Sequence, residues 1–218
     1  MNVTIEANGR PSLKVCFNRT GTDKLWAHHY DEEYERHFAP IRDREIRLLE
    51  IGIGGYGLEN RGGESLKAWE MYFPHARVCG LDIEDKSFLN GGRISTFKGD
   101  QTDGEFLRRV HDSSGPFDVV IDDGSHVQSH IIASFNVLFP LLAPGGIYVI
   151  EDMATAYDPS YGGVQDQDDV SSPTTLHLLA GLIDGLHWPF RKGRGSTDLE
   201  RMVKSVHVSK ELAFIYKH

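Results

Sequence analysis

The chain has 218 residues, with 23 Lys and Arg against 32 Asp and Glu, and a formal net charge of −9. This length suits one well-filled domain, and the acidic balance disfavours a nucleic-acid partner, which usually requires a basic stripe. No apolar run is long enough to span a bilayer, and residues 1–10 lack a secretory pattern. Cys16 and Cys79 have no second ligand at metal spacing, so we expect two thiols in a reducing compartment. These features predict a cytoplasmic protein without a membrane or nucleic-acid partner.

The first 45 residues show no strand alternation and are expected to form a helical cover. Aromatic residues recur at roughly helical spacing from Trp26 to Phe38, and Pro40 follows. This spacing predicts one helix over that segment. Its stripe of Trp26, Tyr30, Tyr34 and Phe38 is expected to pack in the core.

From Arg47 onward, short apolar runs alternate with amphipathic segments, which is typical of a parallel sheet covered by helices. The predicted strands are Arg47–Ile51, Arg77–Leu81, Ile94–Phe97, Phe117–Ile121 and Ile147–Ile150, and the predicted helices are Glu64–Phe73, Gly104–His111 and His126–Leu142. Two alternating runs, Met202–Val208 and Leu212–Tyr216, predict an antiparallel hairpin at the end of the chain. The whole indicates an α/β protein with one domain over residues 1–218, made of the cover (1–45) and a core (46–218).

A glycine-rich turn follows the first predicted strand. Gly52, Gly54 and Gly57 satisfy the dinucleotide fingerprint G-x-G-x-x-G, which permits an NAD(P)-dependent oxidoreductase. In a dinucleotide fold the last glycine should open a helix, but the next plausible helix start lies near Glu64. Glu50, beside the turn, would also repel a pyrophosphate. The turn therefore favours a ligand without phosphates.

Carboxylates stand at four predicted strand ends: Glu50, Asp82, Asp100 and Asp122. A sulfonium nucleoside suits this set, because its positive charge tolerates nearby carboxylates. Asp82 is placed to accept hydrogen bonds from ribose hydroxyls, and Asp100, with Gln101 beside it, to accept one from an adenine amino group. S-adenosylmethionine is the ligand that fits best, although such turns and acids also occur as ordinary loop chemistry.

Two acidic clusters are expected to meet at one edge of the sheet. They are Asp122-Asp123, in the run that ends at His126, and Glu151-Asp152 after the last apolar run. Carboxylates without a thiolate favour Mg²⁺, Mn²⁺ or Ca²⁺ over zinc, and Mg²⁺ is the expected ion. His126 is a reasonable proton acceptor, whereas capping explains only one of the acids. His130 is expected to have a structural or outer-shell role.

Two further segments can be interpreted only from their composition. The polar stretch Ala154 to Ser172, with Tyr157 and Tyr161, is either a linker or a substrate lid, and its place after Glu151-Asp152 favours the lid. The segment Trp188 to Gly195 mixes aromatic and basic residues. We expect it to form a surface turn or a subunit contact.

From about Thr20 to about Gly163 the sequence resembles the metal-dependent sugar O-methyltransferases of antibiotic biosynthesis and, more distantly, the cephalosporin-type methyltransferases. The matching stretches are Gly21–Lys24, Leu49–Tyr56, Gly62–Leu66, Ile121–His126 and Ile150–Asp152. The resemblance implies a class I methyltransferase (Rossmann-like) fold with a mostly parallel seven-stranded sheet. It also implies Mg²⁺ held by Asp123, Glu151 and Asp152, with His126 as the general base.

Three residues in the matched stretches, Gly55, Tyr56 and Ser65, complete the predicted cofactor-binding set. Members of the family with a separate N-terminal domain are known, and this sequence is expected to lack one. We also expect a homo-oligomer.

The leading hypothesis is an S-adenosylmethionine- and Mg²⁺-dependent O-methyltransferase that acts on a sugar hydroxyl of a glycosylated natural product. Two alternatives remain at this point: an NAD(P)-dependent oxidoreductase, and a cofactor-binding protein without catalytic activity. The intact set of acids and imidazole counts against the second.

Overall fold

The computed structural model describes residues 9–166, 168–193 and 195–218. The first eight residues, which include most of the segment examined for a secretory pattern and the start of the predicted cover, lie outside the described residues. Two compact units make up the chain, one ending at Lys98 and the other formed by Gly99–His218. Each is described in turn.

The first unit contains three parallel strands in the order β3-β2-β1: β1 (Arg47–Ile51), β2 (Arg77–Asp82) and β3 (Ile94–Lys98). All three were predicted to within one residue at each end. Four of the five residues of β1 are buried, which is why the strand reads as a continuous apolar run interrupted only by Glu50.

Four helices accompany these strands in the described part of the first unit: α1 (Leu13–Thr20), α2 (Asp23–Trp26), α3 (Asp31–Phe38) and α4 (Glu64–Tyr72). The single helix predicted from Trp26 to Phe38 is wrong. His29 takes a left-handed conformation with φ of 58°, which an α-helix cannot continue through, and the Tyr30 amide turns back to the Lys24 carbonyl at 2.8 Å. Helix α1 was not predicted.

The break in the N-terminal helix also separates its aromatic residues. Tyr30, Tyr34 and Phe38 are buried as expected, but Trp26 is 63% exposed because it closes the short helix α2. Tyr34 and Phe38 pack around Trp69 of α4, with ring centroids 5.0 and 5.7 Å away, and Phe17 of α1 joins them at 5.1 Å. The N-terminal helices therefore share a core with α4.

The second unit contains four strands in the order β4-β5-β7-β6: β4 (Val119–Asp122), β5 (Ile147–Ile150), β6 (Val203–Ser209) and β7 (Leu212–Lys217). Strands β4 and β5 are parallel, whereas β7 pairs antiparallel with both β5 and β6. The predicted C-terminal hairpin is thus confirmed. Its described helices are α5 (Gly104–Ser114), α6 (Gln128–Leu138), α7 (Thr175–Gly185) and α8 (Asp198–Met202).

Three expectations for the second unit need correction or detail. Helix α6 begins at Gln128 and not at His126, and ends in a 3-10 turn at Phe139–Leu141. Helices α7 and α8 were not predicted. The described residues of the predicted lid hold two 3-10 helices, Met153–Tyr157 and Pro159–Tyr161, and Gln167 lies outside the description. The Trp188–Gly195 segment opens with a 3-10 turn, and its Arg194 is not described.

Among the described helices, none has the length and apolar character needed to cross a bilayer.

Candidate active site

The predicted acidic clusters sit at the carboxyl ends of two neighbouring parallel strands. Asp122 is the last residue of β4, and Glu151-Asp152 directly follow β5. The Glu151 amide donates to the Asp122 carbonyl at 3.1 Å, so the ladder between the two strands runs to their last residues. Because parallel strands end at the same edge, the side chains that follow them converge.

Four of the predicted residues come together at this edge. Single ligand atoms of Asp123, His126 and Asp152 lie within 4.8 Å of one another, and a carboxylate oxygen of Glu151 lies within the same distance of one of Asp123. His126 Nε2 is 3.6 Å from Asp152 Oδ2. Glu151 is buried, and Asp123 and Asp152 are partly exposed. The cluster therefore has both an interior and a solvent-facing side.

The backbone is strained at two of these residues. His126 has φ of 58° and Asp152 has φ of 53°, both in the left-handed region that residues with a Cβ seldom occupy. Each such conformation costs on the order of 1–3 kcal/mol, and the surrounding structure must supply this. Strain at two neighbouring polar side chains is typical of a functional site.

The donor set fits a hard divalent cation. Three carboxylates supply oxygen atoms, and a thiolate ligand is absent from this group. Carboxylates at these separations repel one another in a partly buried environment, and a cation among them would relieve that repulsion. Of the common divalent ions, Mg²⁺, Mn²⁺ and Ca²⁺ match carboxylate oxygen ligands best.

Asp122 and Gln101 belong to a buried network behind the acidic turn. Asp122 Oδ2 accepts hydrogen bonds from the hydroxyls of Ser134 and Tyr148, and Gln101 Nε2 donates to Oδ1 at 3.2 Å. Gln101 Oε1 in turn accepts from the Ser125 amide at 2.8 Å. Burial raises the pKa of Asp122, and the hydrogen bonds oppose that rise. Both side chains thus have protein partners, which differs from the direct cofactor contacts expected of them.

The glycine loop lies in the first unit and is left-handed along most of its length. Gly52, Gly54, Gly55 and Tyr56 all have positive φ, between 43° and 86°. A Cβ on Gly55 would lie 2.3 Å from the Arg61 carbonyl oxygen, so only glycine fits there. Tyr56 is 91% exposed. The chain then continues to α4, as expected for a turn that does not open a helix.

Asp82 closes the base of this loop. Its Oδ2 accepts from the Ile53 amide at 2.8 Å, and its Oδ1 from the Glu84 amide at 2.9 Å. A carboxylate has about four acceptor positions, so hydroxyl donors can still be accommodated. Ser65 is buried in the first turn of α4.

Glu50 has a partner that sequence reasoning missed. Its carboxylate is fully buried, 3.2 Å from Lys24 Nζ, and accepts from Trp69 Nε1 at 3.0 Å. Lys24 is only 1% exposed. The expectation that Glu50 serves a cationic ligand is therefore revised, because a lysine of the chain already neutralises it. The only sign in the sequence was that Lys24 closes one of the family-like stretches.

Asp100 is exposed and shapes its own turn. Its Oδ1 accepts from the amide and the hydroxyl of Thr102, both at 2.8 Å, and these hydrogen bonds lower its pKa. His130, expected to be structural or outer-shell, pairs through Nδ1 with the Ser125 hydroxyl at 2.9 Å.

Comparison with curated proteins gives several close matches. The chain is 44% identical over 216 residues to 8-demethyl-8-alpha-L-rhamnosyl tetracenomycin-C 2'-O-methyltransferase of Streptomyces olivaceus, covering 97% of the chain and 56% of that protein. It is 44% identical over 212 residues to mycinamicin VI 2''-O-methyltransferase of Micromonospora griseorubida, covering 95% and 53%. The chain is homologous to these O-methyltransferases. It spans about half of their length, and a comparison with models of protein families finds none that matches.

Solved structures of a homologous O-methyltransferase share the fold. The structure of MycE methyltransferase from the mycinamycin biosynthetic pathway in complex with Mg, SAH and mycinamycin VI is 44% identical, with a TM-score of 0.88 over 95% of this chain and 55% of that one. A second crystal form of MycE with Mg and SAH gives 0.90. An O-methyltransferase from Bacillus cereus, only 14% identical, gives 0.53 and supports the fold alone.

These comparisons confirm two predictions. The resemblance to sugar O-methyltransferases of antibiotic biosynthesis is confirmed, as is the class I, Rossmann-like fold with a mostly parallel seven-stranded sheet and a C-terminal antiparallel hairpin.

Sequence reasoning also missed two residues next to His126, the candidate base of this chain. The ring of Tyr161 meets His126 edge-on, with centroids 6.2 Å apart, and Gln128 donates to the His126 carbonyl at 3.2 Å. Tyr161 was noted only as part of a polar segment. Gln128 carried no signal, because a glutamine in a predicted helix is ordinarily a surface residue.

Proposed function

We propose that the chain is an S-adenosylmethionine- and Mg²⁺-dependent O-methyltransferase that acts on a sugar hydroxyl of a glycosylated natural product. The observation that carries the proposal is the group of Asp123, His126 and Asp152, whose ligand atoms lie within 4.8 Å of one another. Homology adds the chemistry, since the relatives are named as O-methyltransferases of glycosylated compounds and MycE was crystallised with Mg and SAH.

Each residue has a distinct task in this proposal. Asp123, Glu151 and Asp152 hold the cation, and Gly52, Gly54, Gly55, Tyr56, Ser65 and Asp82 form or flank the nucleoside site. When bound, the cation would polarise the acceptor hydroxyl and the sulfonium donor would supply the methyl group. His126 takes the hydroxyl proton, and the carboxylate of Asp152, whose Oδ2 lies 3.6 Å from Nε2, stabilises the imidazolium that forms. Gln101 and Asp122 support the turn that bears Asp123 and His126.

Calorimetry tests the cofactor first. The chain should bind S-adenosylhomocysteine and should not bind NAD; tight NAD binding without nucleoside binding would replace this proposal by an oxidoreductase. Methyl transfer should then be measured on a panel of glycosylated macrolides and aromatic polyketides. EDTA should abolish turnover and Mg²⁺ should restore it, whereas full activity in chelator would remove the metal from the proposal.

The base is tested by substitution. His126→Ala should lower kcat by at least a hundredfold, within the range for loss of general-base catalysis, while SAH binding is retained. Unimpaired turnover would place the base elsewhere.

The proposal extends to cellular setting and assembly. We propose a cytoplasmic homo-oligomer organised as one methyltransferase domain. Both cysteines are buried, which suits a reducing compartment. Light scattering on the purified chain measures the assembly, and a monomer at micromolar concentration would contradict it.

A further inference from the structure

Gln128 is a buried amide whose hydrogen-bonding capacity is fully used. It is the first residue of α6 and is 1% exposed. Its Nε2 donates to the His126 carbonyl at 3.2 Å and to Thr155 Oγ1 at 3.1 Å. Its Oε1 accepts from the amide of Thr175 at 2.8 Å and from its hydroxyl at 2.9 Å. The His126 carbonyl can only accept and the Thr175 amide can only donate, which fixes the orientation of the amide.

The partners of Gln128 lie at both ends of one long connection. Thr155 belongs to the 3-10 helix that follows Asp152, and Thr175 is the first residue of α7. Thr175 is fully buried. Of the residues that the structure describes in this connection, with Gln167 left out, Thr155 near its start and Thr175 at its end both bond to the Gln128 side chain. Gln128 therefore joins the two ends of the connection.

The same side chain holds the two strained residues. The His126 carbonyl is bonded to Gln128 directly. The Asp152 carbonyl accepts from Thr155 Oγ1 at 2.8 Å, and that hydroxyl oxygen accepts from Gln128. Left-handed conformations at a histidine and an aspartate persist only where the surroundings fix them. Gln128 holds the His126 carbonyl directly, and through the Thr155 hydroxyl it adds to the Thr155 amide, which also donates to the Asp152 carbonyl, at 3.1 Å.

We propose that Gln128 is a positioning residue for the base and for one metal ligand, and that it couples them to the connection between Thr155 and Thr175. The inference rests on the proposed function. A displacement of Thr175 or Thr155 would reach His126 through the Gln128 amide. Gln128 itself does not reach the reacting atoms.

Gln128→Glu is the sharpest variant. It keeps an oxygen for Thr175 but replaces the NH₂ group by a second oxygen. An ionised carboxylate donates neither of the two hydrogen bonds to His126 and Thr155, and a protonated carboxyl donates only one of them. We expect Mn²⁺ affinity, measured by electron paramagnetic resonance as a probe of the Mg²⁺ site, to fall about tenfold or more, as for outer-shell partners of metal ligands. The kcat should fall by a similar factor, while SAH affinity and the KM for S-adenosylmethionine stay within about twofold.

A second readout does not depend on catalysis. Chymotrypsin cleavage after Tyr157, which is 47% exposed, should accelerate in Gln128→Glu because the ends of the connection are released. Thr197→Ala is the matched control: it removes the hydroxyl that accepts from the Glu200 amide at 3.1 Å at the start of α8, a helix cap away from Gln128. It should lower stability without changing Mn²⁺ affinity or cleavage after Tyr157.

The experiments distinguish a failure of this inference from a failure of the proposed function. A wild-type chain that binds neither Mn²⁺ nor SAH overturns the proposed function. A wild-type chain that binds both, with Gln128→Glu equal to it in Mn²⁺ affinity and cleavage rate, overturns the role of Gln128. If Gln128→Glu does not fold, Thr155→Val replaces it, since it removes only the hydroxyl between Gln128 and the Asp152 carbonyl. Unchanged Mn²⁺ affinity in Thr155→Val would equally overturn the inference.

Discussion

Replacing Lys24 by methionine would leave a carboxylate without its cation in the interior of the first unit. Lys24 Nζ lies 3.2 Å from Glu50 Oε1, with the two side chains 1% and 0% exposed, and Trp69 Nε1 supplies a further hydrogen bond. Methionine has a similar volume, so the change removes the charge more than the packing. Loss of one partner of a buried ion pair typically costs about 3–5 kcal/mol.

The cost of protonating Glu50 sets a second limit on this loss of stability. The variant can avoid a buried charge by protonating Glu50, at about 1.4 kcal/mol for each pH unit between the carboxyl's ordinary pKa, about 4.3, and the pH of measurement. At pH 7 this limit is about 4 kcal/mol, in agreement with the first figure. Because this protonation cost falls as the pH approaches the ordinary range of a carboxyl, the loss should shrink as the pH is lowered towards 5.

Urea unfolding followed by tryptophan fluorescence measures the effect at pH 5, 6 and 7. The double variant Lys24→Met/Glu50→Gln should recover much of the loss, because it removes the charge along with its partner. A loss below about 1 kcal/mol at pH 7, or one that does not change with pH, would refute the assignment of Lys24 as the counter-charge of Glu50.

Three further predictions concern single residues. Gly55→Ala should weaken SAH binding and lower stability more than Gly54→Ala, because both lose about 1–2 kcal/mol to left-handed strain but only the first meets a backbone oxygen at 2.3 Å; equal effects by calorimetry and thermal denaturation would contradict this. Gln101→Leu should reduce Mn²⁺ affinity about tenfold by releasing the Ser125 amide, and an unchanged affinity would exclude the support role. Burial raises the pKa of Cys16 from 9.0 to about 11, so the thiol loses its proton at lower pH in the unfolded chain than in the folded one. The free energy of unfolding should therefore fall as the pH rises from 9 to 11. Cys16→Ala should lose that part of the pH dependence.

Much of the fold was predictable because burial on parallel strands leaves a strong signature. The bounds of β1 and β5 match the apolar runs Arg47–Ile51 and Ile147–Ile150, and the C-terminal hairpin follows from alternation. The N-terminal helix was misjudged at His29 because aromatic spacing alone does not report a left-handed residue. In that segment the Tyr30 amide bonds to the Lys24 carbonyl, and this local contact outweighed the periodic pattern.

The candidate site was also predictable only in part: its strand-end acids could be found from the sequence, and the partners of those acids could not. Strand-end acids are readable from sequence, since parallel strands must present them at one edge. The start of α6 was placed two residues too early, because nothing in the letters indicates that His126 is held in a left-handed turn. Partners distant in sequence, such as Lys24 for Glu50 and Thr175 for Gln128, become visible only through the tertiary structure.

The side chains that hold the turn bearing Asp123 and His126 in place are uncharged. Two neutral amides fix it: Gln101 accepts from the Ser125 amide, and Gln128 donates to the His126 carbonyl. A lysine or arginine in either place would neutralise Asp123 or Asp152 and compete with a cation for them. An acid would add to a repulsion that is already present. Amides position the backbone on both sides without adding a charge, which suits the cation proposed for the cluster.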